Sequence, residues 1–250
     1  MARWQAFSLV MILACSDSDP FPGYCYLLAF NGDLLGQNVK SLIIDYKTGT
    51  NNCIDRIFLK RDVSGVIQNS TFTPRFGPSC SIEYGLTNSG TNETFEVGMS
   101  DERLWYIKHH YVFEGTPYTD VKNIQRENDR ISRIDYRKRD GEYSASFKYS
   151  SPNSQNPSSI TYKFDGYDVI MQYQYDNNPT PFHSLQELAL IFDQFGVNNV
   201  VRVTRKTVTT SGQQLGPDVL TNYSYTYNEQ LYPTQILRDG VLNTFGYNCQ

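Results

Sequence analysis

What the chain is short of bounds what it can do. No apolar run reaches the roughly 20 residues that a helix needs to cross a bilayer, so no transmembrane helix is expected. Histidine occurs three times. His109 and His110 are adjacent, which on a strand sends them to opposite faces and keeps them from sharing one metal, and His183 stands apart. No CxxC pair occurs and the five cysteines are widely scattered, so no zinc site is expected. HExxH, GxSxG, phosphate-loop and dinucleotide fingerprints are absent. The turn "FDGYD" lacks the alternating acids and closing glutamate of a calcium loop. Basic charge is not in excess: 22 Lys and Arg stand against 26 Asp and Glu, a net −4, which argues against nucleic acid as a partner. The basic stretch Arg130 to Asp140 alternates and reads as a solvated strand face. No metal or other cofactor is expected.

What is abundant is tyrosine, 19 residues, beside 14 phenylalanines and only 2 tryptophans. Rich in Tyr, Ser, Thr and Asn, the chain has the composition of exposed antiparallel sheet, where a tyrosine packs its ring and leaves its hydroxyl in water. Short apolar or alternating segments recur with turn signals about every ten residues, the all-β pattern. Residues 23–31 read as a buried strand, 41–46 and 53–62 as a hairpin, 94–99 and 103–115 as further strands. From about residue 130 a strand–turn–strand unit repeats, closing on Gly166 and again on Gly240. The fold expected is an antiparallel meander, a curved open sheet or partial barrel, with one short helix near 184–195. For that helix, Ser184 and Glu187 form a capping box, Leu185, Leu188, Ala189 and Phe192 line one stripe, and Gly196 is the stop. It is expected to cover one end or face of the sheet.

The start of the chain carries the firmest functional signal. Arg3, a short apolar run and a small residue before Cys15 describe an export signal. Ile12-Leu13-Ala14-Cys15 resembles the lipobox of bacterial lipoproteins, with Leu13 standing where a small residue is more usual. The resemblance implies cleavage before Cys15 and its acylation, which gives residues 1–14 as signal peptide and 15–22 as a lipid-anchored linker. The β-rich domain then runs from 23 to 250, with a subdivision point near 120–130. Ser16-Asp17-Ser18-Asp19 resembles the acidic tag of Bacteroidota lipoproteins bound for the outer face of the outer membrane.

The order "YDNNPTPF", helix, "NNVVRVT", "YSYTYNEQLYPTQI" resembles a group of secreted Bacteroidota lipoproteins of uncharacterised function. These look like relatives of YD-type (Rhs-like) repeats and are similar to proteins with a single curved, porin-like antiparallel sheet. The resemblance implies the fold and an envelope location, and brings no catalytic residues.

With Cys15 lipidated, Cys25, Cys53, Cys80 and Cys249 remain in a compartment that permits disulfides. Four cysteines allow three connectivities, and buried free thiols fit equally well. Carboxylates such as Glu83, Glu93, Glu96, Glu114, Asp165 and Asp168 are the only plentiful acid–base groups, and nothing marks a pair of them for catalysis. Tyr173 and Tyr175 share one strand face, and Tyr223, Tyr225 and Tyr227 another. Such rings either stabilise a sheet as a ladder or offer a surface for a sugar or a peptide. The expectation is a non-catalytic protein anchored to the outer membrane bilayer through acylated Cys15, at the cell surface or else on the periplasmic face. It binds an unknown glycan or envelope protein through these tyrosines. The alternatives are a structural or assembly subunit of an envelope complex and, more weakly, a glycan-active hydrolase.

Overall fold

The computed structural model describes residues 25–33, 39–47, 54–63, 65–75, 85–88, 92–100, 103–183 and 185–249. Cys15, the leader, the linker, Cys53, Cys80 and Ser184 lie outside them. The described residues form sixteen strands: β1 Cys25–Asn31, β2 Val39–Tyr46, β3 Ile54–Val63, β4 Val66–Arg75, β5 Gly85–Asn88, β6 Thr94–Ser100, β7 Arg103–Phe113, β8 Thr116–Glu127, β9 Arg130–Lys138, β10 Gly141–Tyr149, β11 Pro157–Lys163, β12 Tyr167–Pro179, β13 Asn198–Thr209, β14 Val219–Tyr227, β15 Pro233–Arg238 and β16 Val241–Cys249. Each pairs antiparallel with its neighbours in sequence, and β16 returns to pair with β1. The meander is as expected, and the sheet closes fully into a barrel rather than stopping as an open or partial one.

Local chemistry builds the hairpins. Glu114-Gly115, Asn128-Asp129 and Asp239-Gly240 each put two successive residues at positive φ, the two-residue turn whose twist matches that of its strands. Closure is covalent as well. Cys25 faces Cys249 in the β1–β16 register, and the two form a disulfide. Of the pairings open to the cysteines, this one locks the seam. It brings both ends of the described chain to one end of the barrel, the terminal end. The turns at the opposite end include those after β3, β7, β13 and β15.

Polarity decides what kind of barrel this is. Inward positions are apolar: Leu27, Phe30, Leu42, Ile57 and Phe72 are fully buried. They belong to one contiguous cluster with side chains from β9, β10, β11, β15 and β16. Outward positions are mostly polar even at mid-strand, with exposed Ile43 and Trp105 as exceptions. Lys108 on β7 pairs with Glu96 on β6, and Arg133 on β9 bonds Asp135 beside it. A barrel that crosses a bilayer has the reverse arrangement, an apolar outer band about 25 Å tall. Each large inward side chain contributes about 1.5–3 kcal/mol by leaving water.

The interior is filled partly by the connection between β12 and β13. Within it, α1 spans Gln186–Ile191. Leu185, Leu188 and Phe192 are buried as their stripe requires, but so are Leu190 and Ile191 on the other side. The helix sits inside the barrel and so covers the inner face of the sheet, rather than its outside or an edge. Its ends differ from expectation. The N-cap is Leu185, with no side-chain cap bond. The stop is Asp193, not Gly196: Asp193 takes φ 55°, its N–H bonds the Leu190 carbonyl, and the Gln194 N–H bonds the Ala189 carbonyl. That pair of bonds closes a helix C-terminus without glycine.

Replacing Cys249 with Ala, or reducing the Cys25–Cys249 bridge, is expected to lower stability by about 2–4 kcal/mol, read from urea unfolding. An unchanged midpoint would show that the β1–β16 hydrogen bonds alone close the barrel.

Candidate functional site

The plug, residues 180–196, is seated by a buried cation. Lys122 on β8 donates to the Leu190 carbonyl at 3.0 Å, the Ile191 carbonyl at 2.9 Å and Asp193 Oδ1 at 2.8 Å. Its three N–H groups are thus all used, and its charge faces the negative end of α1. Tyr136 on β9 also donates to Asp193 Oδ1, at 3.0 Å. Burial pushes the Lys122 ammonium below its ordinary value, while the Asp193 carboxylate works to hold it up. Lys122 lies five residues before the end of β8. At about 3.3 Å per residue the plug therefore reaches roughly 15 Å along the strand. It is a stopper inside the barrel, not a lid on it.

Asparagines and an aspartate clasp both ends of the plug where it leaves the wall. Asn156 Oδ1 accepts from the Val197 and Asn198 N–H groups at 2.8 and 3.1 Å. Asp176 Oδ1 accepts from the Asn178 N–H at 2.9 Å and the Asn199 N–H at 3.2 Å. Gly196 sits at φ +94°, and a Cβ there would lie 2.8 Å from Asn156 Oδ1. A side chain at 196 would therefore push against the clasp.

Two cavities flank the plug. The first, about 190 Å³, is lined by Tyr173, Tyr175, Tyr223 and Tyr225 together with Phe182 and Arg238. Four of the five tyrosines singled out in the sequence thus meet around one space, facing inward rather than lying on an open outer sheet. Tyr227, the fifth, instead donates to Asp176 in the clasp, and burial with that bond pushes its phenol up to about 12. The second cavity, about 560 Å³, opens at the terminal end between the plug, the β8–β9 turn and the β10–β11 loop.

Five of the tyrosine hydroxyls bond backbone carbonyls. Tyr175 on β12 donates to the Pro157 carbonyl at the start of β11, and Tyr225 on β14 to the Val200 carbonyl near the start of β13. Tyr46, Tyr149 and Tyr247 do the same on β2, β10 and β16, reaching Leu27, Ile131 and Pro233. In each pair, an even-numbered strand staples the beginning of the strand before it. The acceptors lie at ladder irregularities with their other neighbours, Leu27 in β1–β16, Ile131 in β8–β9, Pro157 in β10–β11, Val200 in β12–β13 and Pro233 in β14–β15, so the phenol supplies a bond where the backbone pairing slips. Burial raises the Tyr175 and Tyr225 hydroxyls well above their ordinary value and keeps them neutral donors. The sequence shows the tyrosine repeat but not this use of it, because the carbonyl partner lies on a neighbouring strand.

At the opposite end of the barrel sits a second polar cluster. His109 points inward and His110 outward, as adjacency on a strand dictates. His109 Nε2 lies 2.8 Å from Glu93 Oε1, stacks on Phe95, and shares Glu93 with Arg61, whose Nη1 donates at 2.8 Å. Burial alone would raise the Glu93 carboxyl, but the hydrogen bonds and charges of His109 and Arg61 outweigh it and hold it at about 2. Glu96, on the outer face, is held at about 2 by bonds from Tyr106 and Lys108. Among the described residues, no three His, Cys, Asp or Glu side chains gather where they could hold a metal ion.

No protein-family model matches the chain, and no curated protein matches it. Among solved structures, a porin-like protein from Bacteroides uniformis ATCC 8492 is similar at a TM-score of 0.56 and 11% identity, over 91% of this chain and 97% of that one. A porin-like protein from Bacteroides vulgatus ATCC 8482 matches at a TM-score of 0.40 and 10% identity, over 90% and 99%. The structural neighbours are thus porin-like proteins from Bacteroides, and at these identities the first likeness speaks for the fold alone.

Two expected outcomes follow from the polar clusters. Lys122→Met leaves Asp193 and two helix carbonyls without their cation, and is expected to cost about 3–5 kcal/mol as for a broken buried pair; wild-type stability in urea would show that the plug is seated by packing alone. For Glu93, the folded value lies below the 4.5 of the free side chain. Its stabilisation is therefore complete above pH ~4.5 and is lost as pH falls towards ~2, up to about 3 kcal/mol. Glu93→Gln is expected to flatten that part of the stability curve; an acid limb of unchanged slope would assign the loss to other carboxylates.

Proposed function

We propose that the chain is a non-catalytic, lipid-anchored envelope protein that binds a ligand in the space between plug and wall. The observation that carries this reading is the filled, plugged interior that still leaves two cavities against the plug. A sixteen-stranded ring of open section holds an aqueous channel; here the inward side chains are apolar, a plug occupies the interior and the outward positions are largely polar, which supports a task other than transport through the barrel in a bilayer. The rings of Tyr173, Tyr175, Tyr223 and Tyr225 are the binding face, with a glycan as the ligand, because aromatic faces stack on sugars at small entropic cost. The leader, Cys15 and the acidic residues after it support anchoring in the outer membrane with the barrel at the cell surface. A disulfide at the seam agrees with an oxidising compartment. Cys15 precedes Cys25 by ten residues, so an extended linker holds the terminal end within about 35 Å of the bilayer.

A second reading, an assembly subunit that meets a partner protein, rests on one observation. Large exposed apolar side chains concentrate at the opposite end of the barrel: Val66 and Ile67, Val112 and Phe113, Val219 and Leu220, Val241 and Leu242. An anchored barrel turns that rim away from its own membrane, so its occupant is a protein. Crosslinking from position 242 in intact cells separates the two readings, because only the assembly reading gives a discrete adduct.

With Cys15→Ser, the protein is expected to leave the membrane fraction and stay folded in detergent-free buffer. Persistent membrane retention of that variant would contradict both the anchor and the water-facing exterior.

A further inference from the structure

The larger cavity has a chemistry of its own. Among its described lining residues are Arg103, Arg126 and Arg130, against a single carboxylate, Asp129. Asp129 is already committed to Arg103 through an ion pair. Arg130 is pinned by the backbone: its Nη1 donates to the Ser151 carbonyl at 2.9 Å, and its guanidinium lies 4.5 Å from the centre of the Tyr149 ring. Arg126 has one long bond, 3.4 Å from Nη1 to the Asp129 carbonyl. The Nε atoms of both Arg126 and Arg130 are buried and have no hydrogen-bond partner. Each guanidinium, with five donors, thus has more of them than its protein partners engage. Burial and the like charge of Arg103 both push Arg126 below its ordinary value, so the site already strains against its own positive charge. Phe147, Phe182 and Phe195 also line the cavity and give it an apolar side.

We infer that this cavity binds an acidic small molecule, or one acidic residue of a larger glycan, with its oxyanion held by Arg126 and Arg130 and its body against the phenylalanines. A planar guanidinium suits a carboxylate or sulfate better than an ammonium does, because it offers paired donors in one plane. The volume of about 560 Å³ lies in the usual range of small-ligand sites, about 300–1,000 Å³. This rests on the reading of the protein as a ligand-binding module and names the class of ligand; it moves the charged contact away from the tyrosine-lined cavity.

The test uses the full chain carrying Cys15→Ser, titrated calorimetrically with D-glucuronate, inorganic sulfate and D-glucose at low and at physiological salt. The expected result is binding of glucuronate that weakens with salt, at least tenfold weaker binding to Arg126→Gln, and partial recovery in Arg126→Lys. Sulfate should compete with glucuronate, and glucose should not bind this cavity. Thermal unfolding of Arg126→Gln close to that of the parent keeps a loss of binding from being a loss of fold. Glucuronate binding unchanged in Arg126→Gln overturns the inference. So does binding of anionic lipid vesicles, but not of glucuronate, in an Arg126-dependent way, because the surface would then be a membrane contact. Binding of glucose that is lost in Tyr223→Ala, with no response to glucuronate, also overturns the acidic site while leaving the ligand-binding reading standing. No binding of any probe overturns the site, and the ligand-binding reading is then decided by affinity electrophoresis of the same protein and its Tyr225→Ala variant against neutral polysaccharides.

Discussion

The structure depends on filling the inside of a closed sheet. Sixteen antiparallel strands remove every free edge, but a ring of that size encloses more space than its own side chains fill. With the outer face polar, the apolar surface that must be buried is on the inside, and water there would cancel the gain. The chain answers by sending the β12–β13 connection inward. Lys122 seats it, donating to the Leu190 and Ile191 carbonyls at the end of α1 and to Asp193. Plug, wall and cation form one unit.

The same constraint explains the tyrosines. A wall that curves and closes slips in register at several strand ends, leaving carbonyls without a ladder partner. A tyrosine on the next strand reaches them while its ring stays in the apolar layer, as Tyr175 and Tyr225 do. A phenylalanine would bury as well but leave the carbonyl unpaired; a serine would be too short. Of the four tyrosines that line the cavity beside the plug, Tyr175 and Tyr225 thus have their hydroxyls engaged by the wall.

Much of the fold was legible in the sequence because hairpins are local. Alternation over Arg103–Phe113 and Asp-Gly at 239–240 mark a strand and a turn directly, and His109 and His110 fell on opposite faces as period-two geometry requires. Closure was not legible, because the pairing of Cys25 with Cys249 joins the two ends of the chain. The helix was found through its Leu185–Leu188–Phe192 stripe and does cover a face of the sheet, but that the face is the inside of a barrel was not legible; Leu190 and Ile191, buried outside that stripe, are the residues that mark it. The stop was assigned to Gly196 because glycine is the usual residue there; Asp193 takes the left-handed position instead, within reach of Lys122 and Tyr136. The candidate site was half legible. The tyrosine stripes could be read from spacing, whereas the arginines of the larger cavity come from three separate points in the wall, and only folding brings them together.

The central claim is that residues 180–196 are an integral part of the barrel core. Native-state hydrogen exchange on the amides of Ala189, Phe192 and Gln194 tests it most directly, because each donates a backbone bond inside the plug. The account predicts protection comparable to that of β9 and β10, so that these amides exchange only when the barrel opens globally. Exchange at rates typical of an exposed loop, with β9 and β10 still protected, would mean that the plug leaves while the wall stands, and would contradict the account.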